Sequence, residues 1–205
     1  DGLWQLQTFD LRDYGIGKHK NVDDTPAGGG AGMVLRADVL EAALNDARAG
    51  AKGVMPILYL SPRGKPMNQA MMRGLAANTD GVTLLCGRFE GVDERILEHF
   101  GIQEISLGDF VMPGGELAAQ ALIDATVRLL PGVLGNAASA IEESFSNGLL
   151  EHPQYTKPSL WNDRPIPEVL QSGNHAKIEQ WRRDMSEKIT RQRRPDLWDK
   201  LQTKK

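Results

Sequence analysis

Three segments carry the residue types that bring backbone close to a ligand. They are Ser61-Pro62-Arg63-Gly64-Lys65, Gly87-Arg88-Phe89-Glu90-Gly91 and Gly108-Asp109-Phe110-Val111-Met112-Pro113-Gly114-Gly115, and each directly follows a short apolar run. Glycine lets peptide N–H and C=O groups approach a ligand without a side chain in the way. Glycine and proline also punctuate ordinary turns; one such segment would be no more than that, and three at successive run ends point to a ligand site. Acids Glu90, Asp93, Glu94, Asp109 and Glu116 offset the basic groups of these segments, which suits a ligand that is not strongly anionic. A GxxxxGK[ST] phosphate loop is absent, as is a GxGxxG placed after a strand, and the Gly28–Gly32 segment precedes no phosphate-type helix start. A P-loop is thereby ruled out, and a classical dinucleotide site is not expected.

Two charged positions stand apart from the loops. Ala118, Ala121, Ala125 and Arg128 recur at helical spacing, which predicts Arg128 on the apolar face of a helix beside the third loop. The plainer alternative is an exposed i,i+4 pair with Asp124, worth about 0.3–0.5 kcal/mol. Glu142 and Glu143 adjoin in the polar, turn-rich stretch 137–158. Neighbouring carboxylates commonly mark a helix start or a solvated loop; chemically, one of them offers a general base.

The elements that must position these groups follow from periodicity. Residues 54–60 (VMPILYL), 82–86 (VTLLC) and 102–107 (IQEISL) read as buried strands, and 37–49, 68–78, 94–99 and 116–130 as helices, the last stopped by Pro131. Alternation of strand and helix gives an α/β fold. In a parallel sheet all three loops would share the C-terminal edge, where ligands bind in such folds. Residues 159–173, with Pro165 and Pro167, read as an interdomain linker, and 174–205 as a basic helical segment too short to fold alone.

Composition narrows the class further. The 205 residues are 25% charged and 40% apolar with a formal net charge of −3, within the range of an ordinary globular chain. No apolar run is long enough to span a membrane. One cysteine makes no internal disulfide, four histidines show no metal-ligand spacing, and with no signal-peptide pattern the expected compartment is the cytoplasm. Residues 1–174 carry 14 Lys and Arg against 22 Asp and Glu, whereas 175–205 carry 10 against 5. A basic tail on an acidic body suits contact with a polyanion, although a solvated helical face accounts for the charge alone. The chain begins at Asp1 rather than Met, so the native N-terminus is expected to lie further upstream.

Read together, VDDTPAGGGAGM (22–33), LYLSPRGK (58–65), LLCGRFEGVDERI (84–96), ISLGDFVMPGGELAAQALIDATVRLLPGVLG (105–135), EESFSNGLLEHPQYTKP (142–158) and VLQSGNHAKIEQWR (169–182) resemble, in collinear order, the bacterial tRNA (guanine-37-N1)-methyltransferase family, TrmD, of the SPOUT superfamily. CGRFEGVDER and GDFVxxGGEL are highly specific as a pair. The resemblance implies a SPOUT-type parallel sheet with a deep trefoil knot in a catalytic domain over 1–158, lacking the family's opening strand and helix. It further implies a linker or lid over 159–173 and a small helical tRNA-binding domain over 174–205. S-adenosyl-L-methionine would lie against Leu60, Ser61, Pro62, Gly87, Glu90, Gly91, Leu107, Gly108, Asp109, Phe110, Val111 and Met112, with Gly114 and Gly115 completing the wall. A homodimer with shared active sites is implied, and magnesium for activity, although no constellation in this sequence identifies a metal site.

By position the family's arginine falls on Arg128 and its base on Glu143, with alignment to SFSNGLLE favouring Glu143 over Glu142. Here Glu stands where the family base is usually Asp, Gln154 where His is common, and Pro113 where Ser is usual. Guanine N1 carries a proton, so a base must remove it while charge builds on O6; a carboxylate and a guanidinium meet those needs. Cys86 is not needed as a nucleophile and reads as a small core residue. For the tRNA anticodon stem-loop, the candidate contacts are Arg12, Lys18, His19, Lys20, Asp23 and Asp24, then Asn174 and His175, and Arg182, Arg183, Arg191, Arg193 and Arg194. Asn174 as a simple helix cap is the alternative at that position. The competing functions are another SPOUT methyltransferase acting on ribosomal RNA or a ribose hydroxyl, and a non-catalytic RNA-binding protein.

Overall fold

The computed structural model describes residues 2–51, 53, 55–135 and 143–203. The chain forms two compact units, residues 1–135 and 136–205. Of the described residues, 143–158 group with the second unit.

In the first unit a 3-10 turn (Leu11–Tyr14) leads to a two-residue antiparallel pair, β1 (Asp23–Asp24) and β2 (Val34–Leu35), followed by α1 (Ala37–Ala47). Next come β3 (Ile57–Pro66), α2 (Gln69–Ala77), β4 (Thr83–Cys86), α3 (Glu94–Phe100), β5 (Gln103–Ser106) and α4 (Glu116–Val127). The sheet runs β4-β3-β5, with both pairings parallel. Strand side chains alternate between faces, and β3 divides the core accordingly. Ile57 and Tyr59 join Leu40, Leu44, Leu85 and Ile96 in one cluster. Leu58 and Leu60 join Met72, Ile105, Ala118 and Leu122 in the other. All four β3 residues are at most 6% exposed, as expected of a central strand covered on both sides. At about 1.5–3 kcal/mol per buried large apolar side chain, these two clusters fix the strand that carries the first loop.

The α/β reading and the order of its elements hold, with two corrections. The first apolar run starts as strand only at Ile57, Val54 lying outside the described residues, and the strand continues beyond Leu60. Both Leu60 and Lys65 register with Ile105 of β5, so residues 61–64 leave the ladder and the chain rejoins it. Gly64 makes this possible: a Cβ there would overlap the backbone of Glu104 and Ile105. Gly64→Ala must therefore push β3 off β5. The expected cost is about 1–3 kcal/mol, read as a Tm several degrees lower; an unchanged Tm would refute this account of the excursion.

The second correction concerns α4, which ends at Val127 with Arg128 as its C-cap. Leu129 and Leu130 donate to the Thr126 and Val127 carbonyls at 3.0 Å each, a tightened final turn. Pro131 disfavours helical backbone in the residue before it, and the helix unwinds ahead of it. The buried face of α4 comprises Ala118, Ala119, Leu122 and the partly buried Ala125, with Leu129 beyond it, while Ala121 is exposed. Arg128 therefore sits beside the apolar stripe and past the helix, half-buried, rather than projecting from its centre.

The second unit holds a hairpin, β6 (Leu160–Trp161) with β7 (Arg164–Pro165), then α5 (Glu168–Gln171), α6 (His175–Arg193) and α7 (Pro195–Gln202). Asn162 and Asp163 take φ of 53° and 58°, the left-handed pair a tight two-residue hairpin turn requires and that Asn and Asp tolerate. The stretch read as a linker thus carries regular structure of its own. Asn174 does cap α6, accepting from the Lys177 N–H at 3.2 Å. Among the described residues, no helix is long and apolar enough to cross a membrane.

Candidate active site

Parallel pairing places the C-terminal ends of β3, β4 and β5 on one edge, and specific contacts lock the second and third loops together there. The Gly115 N–H donates to the Gly87 carbonyl at 3.1 Å, and Arg88 bridges to Gly114 in antiparallel fashion. A Cβ on Gly115 would lie 3.0 Å from both Cys86 Cα and Leu60 Cβ, so this glycine fits between the ends of β3 and β4. At Gly87 a Cβ would come within 2.7 Å of the Tyr59 ring, and at Gly91 (φ 120°) within 3.2 Å of its hydroxyl. Tyr59 is the residue that sequence reasoning missed: 6% exposed, it forms the floor beneath the middle loop. Its signal was one aromatic in an otherwise aliphatic run.

The third loop turns on Ser106. Its buried hydroxyl donates to the Gly108 carbonyl at 2.9 Å and accepts from the Gly108 N–H at 3.1 Å. That turn leaves Leu107, Phe110 and Val111 exposed, Val111 at 82%, and a Cβ on Gly108 would meet the Phe110 ring at 2.7 Å. A further surprise is the N-terminal glycine segment, which packs on the middle loop. The Glu90 N–H donates to the Met33 carbonyl and the Leu35 N–H to the Gly91 carbonyl, both at 2.9 Å. A Cβ on Gly32 (φ 81°) would sit 2.5 Å from Glu90 Cγ.

Arginines take up three of the five acids assigned to the pocket. Glu116 pairs with Arg88 at 2.7 Å, Glu94 with Arg63 at 3.0 Å and Asp93 with Arg95 at 2.6 Å. The Arg95 guanidinium holds the Asp93 carboxyl below its usual range. Glu90 and Asp109 remain exposed. Burial, and secondarily the Glu116 carboxylate, push the Cys86 thiol up to about 11. Since only the thiolate attacks an alkylating agent, Cys86 should react slowly with iodoacetamide at neutral pH, and its rate should still be climbing at pH 10. A rate that levels off near pH 8.5 would contradict that environment.

The remaining predicted residues fall in both units. Lys18, His19 and Lys20 occupy the exposed turn closed by the Ile16–Asn21 bridge, Lys20 lying 3.5 Å from Asp13. Arg12 is exposed in the 3-10 turn, and Asp23 is half-buried in β1. Asp24 in β1 is exposed and accepts from the Thr25 N–H at 2.8 Å. In the second unit Arg182, Arg183, Arg191 and Arg193 are exposed along α6. Arg191 stacks 4.5 Å from the centroid of the Trp198 ring, and Arg194 pairs with Asp196 at 2.7 Å.

Glu143 opens a tight turn whose Ser146 N–H donates back to the Glu143 carbonyl at 3.2 Å. Within the turn the Phe145 N–H donates to the Leu149 carbonyl at 2.7 Å, Phe145 and Gly148 both having positive φ. Glu142 lies outside the described residues, so the structure does not weigh it against Glu143.

Comparison with known proteins places this edge in context. The sequence pattern of the family described as tRNA (Guanine-1)-methyltransferase TrmD matches residues 1–200. The tRNA (guanine-N(1)-)-methyltransferase of Ruegeria pomeroyi is 72% identical over 100% of this chain and 84% of its own length. Its counterpart in Roseobacter denitrificans is 66% identical over 97% of this chain and 82% of its own. That of Rhodopseudomonas palustris is 58% identical over 96% and 77%.

Proposed function

Because the chain belongs to the tRNA (guanine-1)-methyltransferase family, we propose that it moves a methyl group from S-adenosyl-L-methionine to N1 of guanine 37, the base 3′ of the anticodon. The observation that carries this reading beyond the family is the locked set of loops at one sheet edge, with Gly115 seated between Leu60 and Cys86.

The residues at that edge suit the donor. Gly87, Gly91, Gly108, Gly114 and Gly115 bring backbone to this edge with no side chain of their own, Leu107, Phe110 and Val111 offer apolar surface, and Glu90 and Asp109 are exposed carboxylates suited to a cation. Together with Leu60, Ser61, Pro62 and Met112 they are the residues that would hold it. The donor, when bound, supplies an electrophilic methyl group on a sulfonium centre. The trefoil knot through these loops is part of the same proposal. Among the described residues, no group of three or more His, Cys, Asp or Glu side chains is placed to hold a metal ion.

Glu143 is assigned the N1 proton and Arg128 the developing charge on O6. The carboxylate accepts N1–H, which frees the lone pair of N1 for in-line attack on the methyl carbon. The guanidinium donates to O6 as it becomes anionic. Displacement is direct, so no enzyme nucleophile is needed, and the high thiol pKa of Cys86 is compatible with that. Lys18, His19, Lys20 and Arg12 in the first unit and the arginines of α6 are assigned to tRNA. So are Asp23 and Asp24, as acceptors from base edges, together with Asn174 and His175 at the start of α6. A homodimer sharing its active sites completes the proposal. The test is to digest tRNA after reaction with the enzyme and isotopically labelled donor. One labelled 1-methylguanosine, mapped to position 37, is the expected product; a labelled ribose or another base would overturn the reading.

A further inference from the structure

The turn that presents Glu143 is fastened to α6 through one buried hydroxyl. Thr190 is fully buried, 0% exposed, on an otherwise strongly polar helix. Its Oγ1 donates to the Ser186 carbonyl one turn back at 2.7 Å, which fixes the direction of its only proton. The lone pairs that remain face outward, and one accepts the Leu150 N–H at 2.8 Å. Leu150 closes the segment that Glu143 opens, and the Glu151 N–H donates to Ser144 Oγ at 3.0 Å across the same turn. From the other side α7 abuts the turn, since a Cβ on Gly148 would come within 2.9 Å of the Leu201 side chain. The turn is thus held by α7 and by α6, the helix whose arginines, Arg183 and Arg191 among them, are exposed.

We propose that Thr190 is a positioning residue for methyl transfer: its hydroxyl sets the turn bearing Glu143 in register with the helix that docks the RNA. The inference rests on the assignment of Glu143 as the base. Binding energy gained on the arginines of α6 is then delivered as placement of the carboxylate, because the Leu150–Thr190 hydrogen bond joins turn and helix directly. A misplacement of the order of 1 Å at a reacting group costs about 100-fold in rate.

The test uses the full chain with tRNA and donor under single-turnover conditions. Thr190→Val keeps the shape and removes the acceptor; Thr190→Ser restores it; Ser186→Ala perturbs the same buried spot but leaves the Ser186 carbonyl in place. Thr190→Val is expected to slow transfer about 10- to 100-fold with unchanged affinity for tRNA and donor. Thr190→Ser and Ser186→Ala should stay near the parent rate. Equal loss in Ser186→Ala, or no rescue by Ser, would reduce Thr190 to core packing and overturn the proposal. Hydrogen exchange at the Leu150 amide needs no variant: protection is expected in the parent protein, and free exchange there would overturn the proposal even if Thr190→Val did not fold. Full turnover in Glu143→Gln sinks the base assignment. Loss in Glu143→Gln together with full turnover in Thr190→Val sinks the positioning role alone.

Discussion

Glu143→Gln abolishes methyl transfer, on this account, while S-adenosyl-L-methionine binds as before. The substitution keeps size and hydrogen-bonding shape and removes only the ability to take a proton. Guanine N1 has no free lone pair until that proton leaves, so the step loses the whole contribution of its base, about 100- to 10,000-fold. Donor affinity is spared because the donor's proposed contacts lie on the excursion within β3 and the loops after β4 and β5, in the first unit, whereas Glu143 belongs to the second. Glu143→Asp is the informative companion. The resemblance implies Asp at this position, one methylene shorter, and the turn from Glu143 to Leu150 is held by its own backbone bonds. The Glu143→Asp variant keeps the carboxylate but draws it back by one methylene on a turn held in place, so it should transfer more slowly than the parent and faster than Glu143→Gln. Unchanged turnover in Glu143→Gln, measured as a single-turnover rate, would refute the base assignment.

Arg128→Ala should lower the chemical step by about two to three powers of ten, the usual cost of removing one donor to a developing oxyanion. The loss should fall on kcat rather than on KM for tRNA, since O6 becomes a strong acceptor only as N1 is deprotonated. Arg128→Lys should recover a part, because an ammonium supplies charge without the planar fork. If Arg128→Ala changed only tRNA affinity, the residue would be a binding group and the charge on O6 would need another partner. The position of Arg128 makes the chemical role economical. As the C-cap of α4 it is half-buried at the end of a helix whose N-cap is Gly115, so one rigid element joins the loop edge to the guanidinium.

Local pattern carried the fold where it was strong. The apolar runs read at 54–60 and 82–86 hold the start of β3 at Ile57 and all of β4, and Asn174 is the helix cap offered as its plainer reading. What the pattern could not convey was tertiary. The excursion of 61–64 depends on Gly64 lying against β5, a contact between residues some 40 positions apart in the sequence. The helical period from Ala118 to Arg128 looked unbroken, yet Pro131 unwound its end and Ala121 proved exposed. Tyr59 and the packing of Gly32 on Glu90 depend on which loops meet, which no spacing encodes. At 159–173 the prolines suggested irregular chain, whereas Asn162 and Asp163 form a hairpin turn that alternation over two-residue strands is too short to announce. The family assignment was legible because it rests on long collinear motifs, whereas a single role such as that of Glu143 turns on where one side chain stands in the fold.

The most direct measurement offers labelled S-adenosyl-L-methionine and two tRNA transcripts that differ only at position 37, guanine in one and adenine in the other. Transfer to the guanine transcript alone is the predicted result, fixing donor, base and position in one assay. Transfer to both transcripts, or to neither while the donor binds, would contradict the account and direct attention to another RNA target or to binding without chemistry.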